Sequence, residues 1–246
     1  MAEAPAHSPF SPLQARWMEQ LFKGPLPPER LATCSDCAKL QKAGQPIDPD
    51  AYNPDTKCCT YLPMLHNFLV GSIIDDTDPD FATGRATVEA RIDAGLAVTP
   101  LGLYATEEYL SRYDAGARFG KDITLRCPHF LHAEGGRCGV WKHRESTCST
   151  WFCKYERGEH GKDFWKRGVA PMLRAAELAL ARHLAIELGA DEYQFGPFAE
   201  DVRGLYRAAS ARVQSMEWAE VERIGGQDVK RLARESREQL LRIRTM

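Results

Sequence analysis

Apolar positions fall into clear helical spacing only in the last third of the chain. Over residues 171–188 alanine and leucine fill the middle, Pro171 sits in the first turn and Gly189 follows the end. Helix formers bracketed by proline and glycine in that order predict the clearest helix of the chain. Residues 199–218 and 228–244 predict two more, with Gly225-Gly226 between them.

Upstream the pattern is shorter and more broken. Residues 13–22 predict a short helix that GPLPP at 24–28 ends. Residues 85–94 carry Val88 and Ile92 at helical spacing, closed by Gly95 as a C′ residue. Residues 106–113 predict a helix with Thr106 as N-cap. Residues 1–12, with Pro5, Pro9 and Pro12, read as a loose arm. AGQPIDPDAYNPD at 43–55 holds three prolines and reads as an irregular excursion. The run 60–74 is uncharged and mostly apolar, but it is 15 residues long and contains Pro63, His66 and Asn67. A membrane span needs about 20 apolar residues, so this run reads as buried core, with His66 a satisfied core residue.

The pattern predicts a mainly α protein with little β, built round an irregular, loop-built core rich in cysteine. It divides into an N-terminal arm and short helix over 1–29, a cysteine-cluster metal-binding domain over 30–168, and a C-terminal helical region over 169–246. A chain of 246 residues suits one large domain and can bury a core without covalent staples. A net charge of −2 gives no clear signal for nucleic acid or an anionic membrane. The first residues, MAEAPAHSPFSP, lack the basic and apolar regions of a secretory signal. The expected compartment is the cytoplasm, where thiols stay reduced.

That compartment changes the meaning of the eight cysteines. They form two groups: Cys34, Cys37, Cys58 and Cys59, then Cys127, Cys138, Cys148 and Cys153. In reducing surroundings such clustering points to metal or redox chemistry rather than disulfides. Cys34-Ser-Asp-Cys37 is a C-x-x-C step, whose tight turn aims two sulfurs at one point. A redox pair uses the same spacing, but the preceding LPPERLAT does not read as the strand a thioredoxin-like setting needs. In extended chain, neighbours such as Cys58 and Cys59 point to opposite sides, so they serve two centres, or one ligates and one packs. In the second group, steps of ten, nine and four intervening residues match no helix or strand, so loops must gather the sulfurs. Trp141, Trp151 and Phe152 can wall such a site from water. Zinc and iron–sulfur clusters both take four thiolates. Eight cysteines permit two such sites, or one site with spare thiols. His129, His132 and His143 could replace a thiolate, although hydrogen bonding or solvent exposure explains them as well.

Other motifs carry less. DDTDPD at 75–80 lacks the glycine and glutamate of a calcium loop and reads as a solvated turn. Gly158-Glu-His-Gly-Lys162 is too short for a phosphate loop. The basic residues of 228–244 alternate with Glu235 and Glu238, as on a solvated amphipathic helix. No cysteine stands out with a base partner as a nucleophile.

The order C-x-x-C, Cys-Cys, Cys-Pro, Gly-x-Cys, His-Arg and C-x4-C resembles the bacterial zinc- or iron-chelating cysteine-cluster proteins (YkgJ-like). Flagellin lysine N-methylases share that module. The matching residues are Cys34 and Cys37, Cys58-Cys59, Cys127-Pro128, Gly136-Arg137-Cys138, His143-Arg144, and Cys148 with Cys153. They span roughly 34–157 and leave the C-terminal helices unmatched. The chain departs from the family in the twenty residues between Cys37 and Cys58, and in Glu145, where relatives often carry proline. The resemblance implies a metal or cluster centre, and the methylase relatives suggest protein modification. The sequence shows no methyl-donor motif and singles out no catalytic residue. Two functions follow. One is a cytosolic protein holding an iron–sulfur cluster or zinc, chiefly through Cys58, Cys59, Cys127, Cys138, Cys148 and Cys153, completed by Cys34 and Cys37, with redox or protein-modification chemistry. The other is a zinc-stabilised, non-enzymatic module that binds an unknown protein partner through its helices.

Overall fold

The structure is a computed structural model that describes residues 9–30, 34–116, 119–191 and 202–245. It is mainly helical with little strand, as the pattern predicts. The predicted arm falls outside the described residues over 1–8, and the predicted helix start falls outside them over 199–201.

Helix α1 (Pro12–Phe22) opens with a reciprocal cap between Ser11 and Gln14, with proline in the first turn. Both devices satisfy or remove amides that a helix start leaves unpaired. α1 is no appendage: Leu13, Trp17, Met18, Leu21 and Phe22 are buried in the same core as the C-terminal helices. The apolar run at 65–74 forms β1 (Leu65–His66) and α2 (Asn67–Ile74), both buried. α3 (Ala82–Asp93) follows and ends at Gly95, whose φ of +62° fits the predicted C′ position. β2 (Val98–Thr99) and β3 (Gly102–Leu103) complete a small antiparallel sheet in the order β1-β3-β2, pairing Leu65 with Leu103 and Val98 with Leu103. α4 (Glu107–Asp114) is capped by the Thr106 side chain, which accepts from Tyr109 N. β4 (Phe130–Leu131) and β5 (Arg137–Cys138) form a short hairpin. α5 (Ser146–Ser149) is one turn.

α6 (Gly158–Asp163), a π turn (Phe164–Val169) and α7 (Ala170–Glu187) run on without a break. The predicted boundary at 168/169 therefore falls inside one helical run. The predicted helix over 199–218 ends early, at Val213 in α8 (Val202–Val213), and α9 (Trp218–Ile224) is a further helix that the pattern does not predict. Gly225-Gly226 joins α9 to α10 (Gly226–Arg244), with Gly226 at φ +64°.

α7 is the centre of the larger core. Its residues Met172, Leu173, Ala176, Leu180, Ala181 and Leu184 pack with Trp17, Phe68, Phe164, Val213, Val229 and Leu240. A smaller core holds Leu65, Val70, Ile73, Val88, Leu103, Val140 and Tyr206. α10 buries Val229, Ala233, Leu240 and Ile243 and exposes its Arg231–Glu235 pair, the two-faced pattern its sequence predicts. No helix among the described residues is long and apolar enough to cross a membrane.

Candidate metal centre

Loops bring the cysteines together, and a few polar side chains fix those loops. Cys34 lies in a short 3-10 turn (Cys34–Asp36), and Cys37 follows it, buried. Cys58 and Cys59 lie in a turn, not in extended chain. Lys57 adopts a left-handed φ of +51°, and Cys59 N donates to Thr56 O at 2.9 Å. This turn is why both sulfurs reach the same space, against the alternation that a strand would impose. The Lys57 ammonium is buried and donates to the carbonyls of Cys34, Gly135 and Gly136. It thereby ties the first cysteine group to the loop before Cys138. Cys127 N donates to Cys59 O at 2.7 Å, a second link between the groups. The β4–β5 pairing sets Cys138 opposite Phe130. Cys148 lies on α5, whose start is capped by Glu145 accepting from Thr147 N and Cys148 N.

All eight cysteines line one cavity of about 760 Å³. Tyr61, Phe119, Trp141 and Trp151 add aromatic wall, and Lys57 and Arg144 add positive charge. A smaller recess of about 280 Å³ adjoins it, lined by Cys37, Cys58 and Cys153 with Trp151, Phe152 and Lys166. All eight thiols are free. Among the described residues no group of three His, Cys, Asp or Glu side chains is arranged to hold a single ion. The eight cysteines share the cavity wall without such a group.

The electrostatics suit a donor set that waits for a cation. Burial pushes the Cys34 and Cys127 thiols up to about 12, and the neighbouring thiols add to the shift. Cys148 is raised well above the ordinary value by burial and then by Glu145. Cys138 and Cys153 are raised chiefly by burial. Cys58 is lowered, chiefly by the S–H of Cys59, which donates to it and is itself raised. Desolvated thiols resist ionisation unless a positive centre replaces the lost water. A thiophilic metal is such a centre, and its binding releases the protons. The donor chemistry therefore fits a thiolate-held metal group.

The histidines have other partners. His129 is buried, with Nδ1 at 2.8 Å from Thr87 Oγ1 and Nε2 at 3.4 Å from Arg91 Nη1. Arginine can only donate, so Nε2 accepts and both ring nitrogens are engaged. Burial lowers His129 to about 3, so the ring is neutral. His132 Nε2 meets Asp55 at 2.8 Å on the surface. His143 Nε2 meets Asp76 at 2.7 Å, and Lys142 reaches the same carboxylate at 2.8 Å. Burial opposes ionisation of Asp76, yet the Lys142 and His143 hydrogen bonds hold it down at about 2. The DDTDPD turn thus anchors the 141–143 loop through Asp76. His66 stacks on Phe68 in the core.

Sequence reasoning gave no role to the residues that fix the loops. Lys57 directly precedes the cysteine pair, yet nothing in the pattern marks it as buried. Arg144 appears in the His-Arg step. Its guanidinium lies 3.5 Å from the Trp141 ring centre, and Nη2 donates to Pro9 O at 2.7 Å. Its buried Nε has no hydrogen-bond partner. Glu177 is buried on α7 and accepts from Ser146 N at 3.1 Å and Gln14 Nε2 at 2.7 Å. Gln14 also donates to Arg144 O at 3.2 Å. One buried amide and one buried acid thus join α1 and α7 to the turn that carries Cys148. Comparison with protein-family profiles, curated proteins and solved structures returned no match.

Proposed function

We propose that this chain is a metalloprotein whose cysteines hold an iron–sulfur centre and whose activity is redox chemistry in a reducing compartment. The observation that carries the reading is that all eight cysteines, distant in sequence, line one cavity. Cys34, Cys37, Cys58, Cys59, Cys127, Cys138, Cys148 and Cys153 would supply the thiolates. A polynuclear group suits eight cysteines on one cavity better than one tetrahedral ion does, since a single zinc takes only four thiolates. When bound, an iron–sulfur group supplies one-electron transfer.

The chain's own residues have recognisable tasks in this reading. Lys57 and Arg144 offset the negative charge of the thiolates from the cavity wall. Phe119, Trp141 and Trp151 keep water off the sulfurs, which favours a cluster's persistence. Lys57, Glu145 and the Glu177–Gln14 pair hold the loops in register. Protein modification is the activity that the resemblance to flagellin lysine N-methylases adds.

Anaerobic purification, with a visible spectrum and elemental analysis on the same sample, tests the reading. Brown protein with iron and acid-labile sulfide is the expected result. Colourless protein with stoichiometric zinc would replace it with a zinc-stabilised interaction module. Protein with neither metal would overturn both.

A further inference from the structure

The charges round the cavity are one-sided. Arg30, Lys42, Lys57, Arg144 and Lys154 line it, and Asp36 is the one acid among its described lining residues. Lys39 and Lys166 line the adjoining recess, which has no acid among them. The chain as a whole carries 32 basic and 34 acidic residues, so this excess is local. We propose that the cavity binds a small organic anion, a carboxylate or a phosphate ester, with its charged end at this cationic mouth and its apolar body on the aromatic wall. The inference goes beyond the metal reading and does not depend on which metal the thiols hold.

The state of the lysines is the first support. Lys57 and Arg144 are buried in the wall, beside the thiols. Lys39, Lys154 and Lys166 are exposed, so they stand where the cavity and its recess meet solvent. The Lys166 ammonium lies 4.2 Å from the ring centre of Trp151, which lines both spaces. No salt bridge among the described residues joins these three lysines to a carboxylate, whereas Lys162 and Arg167, in the same helical run as Lys166, pair with Glu159 and Asp163. Like charges gathered without a counter-charge repel one another, and an anion held between them removes that repulsion.

The second support is a pair of idle donors. Arg144 Nε and Trp141 Nε1 are buried without a hydrogen-bond partner among the described residues, and both side chains line the cavity. A buried donor without an acceptor is costly. An oxyanion supplies acceptors, and an ammonium supplies none.

Size and wall are the third. About 760 Å³ falls within the range of small-molecule sites, about 300–1,000 Å³. Tyr61, Tyr113, Phe119 and Trp151 offer flat apolar surface, with the Phe119 and Trp151 ring centres 5.4 Å apart. Sites of this kind combine a mostly apolar lining with a few polar groups that fix orientation. An acidic protein docked on the surface would satisfy the lysines alone. The aromatic wall and the idle donors favour a ligand that enters.

Four phenyl probes of similar size and different charge test the proposal: benzoate, phenyl phosphate, benzamide and benzylamine. Each is equilibrated by dialysis against the full chain, purified anaerobically, at low salt, with metal counted on the same sample. The expected result is that an anionic probe binds about tenfold more tightly than benzamide, with benzylamine weakest. The tighter of the two anions tells carboxylate from phosphate. The preference should shrink at an ionic strength of about 1 M, where charges are screened within about 3 Å. K39E/K154E/K166E should abolish it and K39Q/K154Q/K166Q should reduce it, both checked by circular dichroism for intact helices. Tryptophan quenching gives a second readout. Trp17, Trp165 and Trp218 are buried, while Trp141 and Trp151 are half-buried and line the cavity. Relative to free tryptophan, iodide should therefore quench the protein more than caesium does, and the Glu variant should reverse the order. Benzamide binding as tightly as benzoate and phenyl phosphate would overturn the proposal, as would a preference unchanged in the Glu variant. Binding of polyglutamate without binding of either small anion would replace it with an acidic protein partner. An anion preference in metal-free protein would remove the metal reading and leave this inference standing, and metal-loaded protein without the preference would do the reverse.

Discussion

Round α7 the chain buries Trp17, Phe68, Phe164, Trp165, Leu173, Leu180 and Leu184 almost completely. Round the cavity it buries very little of this kind. Between Phe22 and Leu65 the buried apolar residues among those described are Pro27, Cys37 and Pro63, and between Leu103 and Cys127 the buried apolar side chain is Leu125. Thr56, Lys57 and Thr60 are buried there instead, bonded to backbone groups of Gly120, Gly135 and Gly136. A fully buried leucine contributes about 1.5–3 kcal/mol, so the helical half can hold itself together by burial. A hydrogen bond nets about 1 kcal/mol, and the cysteine half relies on a few of those. The difference teaches where metal would matter in the reading proposed above: the helices would fold round α7 without it, and the loops would depend on a centre that their sulfurs share.

Metal removal is the largest test of that contrast. A thiolate-held structural ion supplies on the order of 10 kcal/mol in zinc-binding domains. Stripping the protein with a chelator under reducing conditions is expected to open 34–63 to limited proteolysis and fast amide exchange. The helices α7 to α10 should keep their protection and their circular-dichroism signal. If both halves lose protection together, the contrast breaks and the molecule is one cooperative unit. If neither changes, the loops are self-sufficient.

The reverse test weakens the helical half alone. Leu180 is fully buried in the larger core, the one that also holds Trp17 and Val213. Leu180→Ala is expected to cost about 4 kcal/mol through lost burial and a cavity. Thermal unfolding would record it, while metal per chain stays at the wild-type value. A matching loss of metal would show that the cysteine half cannot keep its shape without a full helical core.

Each half was legible in the sequence in proportion to how local its physics is. Helix formers between Pro171 and Gly189, the Thr106 cap and the Gly95 stop act within a turn or two, and they mark real elements. The end of α8 at Val213 and the existence of α9 were missed because 214–217 carries no proline or glycine to announce a stop and a new start. The cysteines were legible as a group, because clustering of thiols is a compositional signal. How the loops are held was not. Lys57 and Glu177 bond partners 78 and 163 positions away. Nothing near either residue distinguishes it from an exposed charge. The pairing of Cys58 with Cys59 on one cavity depended on the left-handed φ at Lys57, a conformation that sequence assigns first to glycine.

A change at the seam tests whether the halves communicate. Gly84 on α3 lies against Gly139, next to Cys138. A Cβ at Gly84 would stand 1.7 Å from the Gly139 carbonyl oxygen, and backbone cannot swing aside as a side chain can. Gly84→Ala is expected to cost about 3 kcal/mol by overpacking. It should also weaken metal retention against a competing chelator, because the displaced strand carries Cys138. Unchanged retention would confine the strain to α3 and isolate the cavity from the small sheet.

The finest probe is the acid that spans the seam. Glu177 sits on α7 in the helical half, and it bonds Ser146 N on the turn that carries Cys148. Burial, with the nearby Glu145 carboxylate, raises its pKa from 4.5 to about 8. The folded state therefore keeps this proton over a range where the unfolded chain has lost it. Between those two values the native state binds more protons, so stability falls as pH rises and is greatest below 4.5. Buried His66 and His129 act with the opposite sign, since both are lowered from 6.5 to about 3 and favour folding as pH rises through that range. Above 6.5 their contribution is constant, and Glu177 alone of these three still changes. Wild type should lose about 2 kcal/mol relative to Glu177→Gln between pH 6.5 and 8, read from denaturant unfolding of the two proteins side by side. The amide cannot ionise, so its curve lacks this slope. Equal slopes would mean that water or a rearranged Ser146 turn already satisfies the ionised acid. The seam between the halves would then be looser than the buried hydrogen bonds of Glu177 imply.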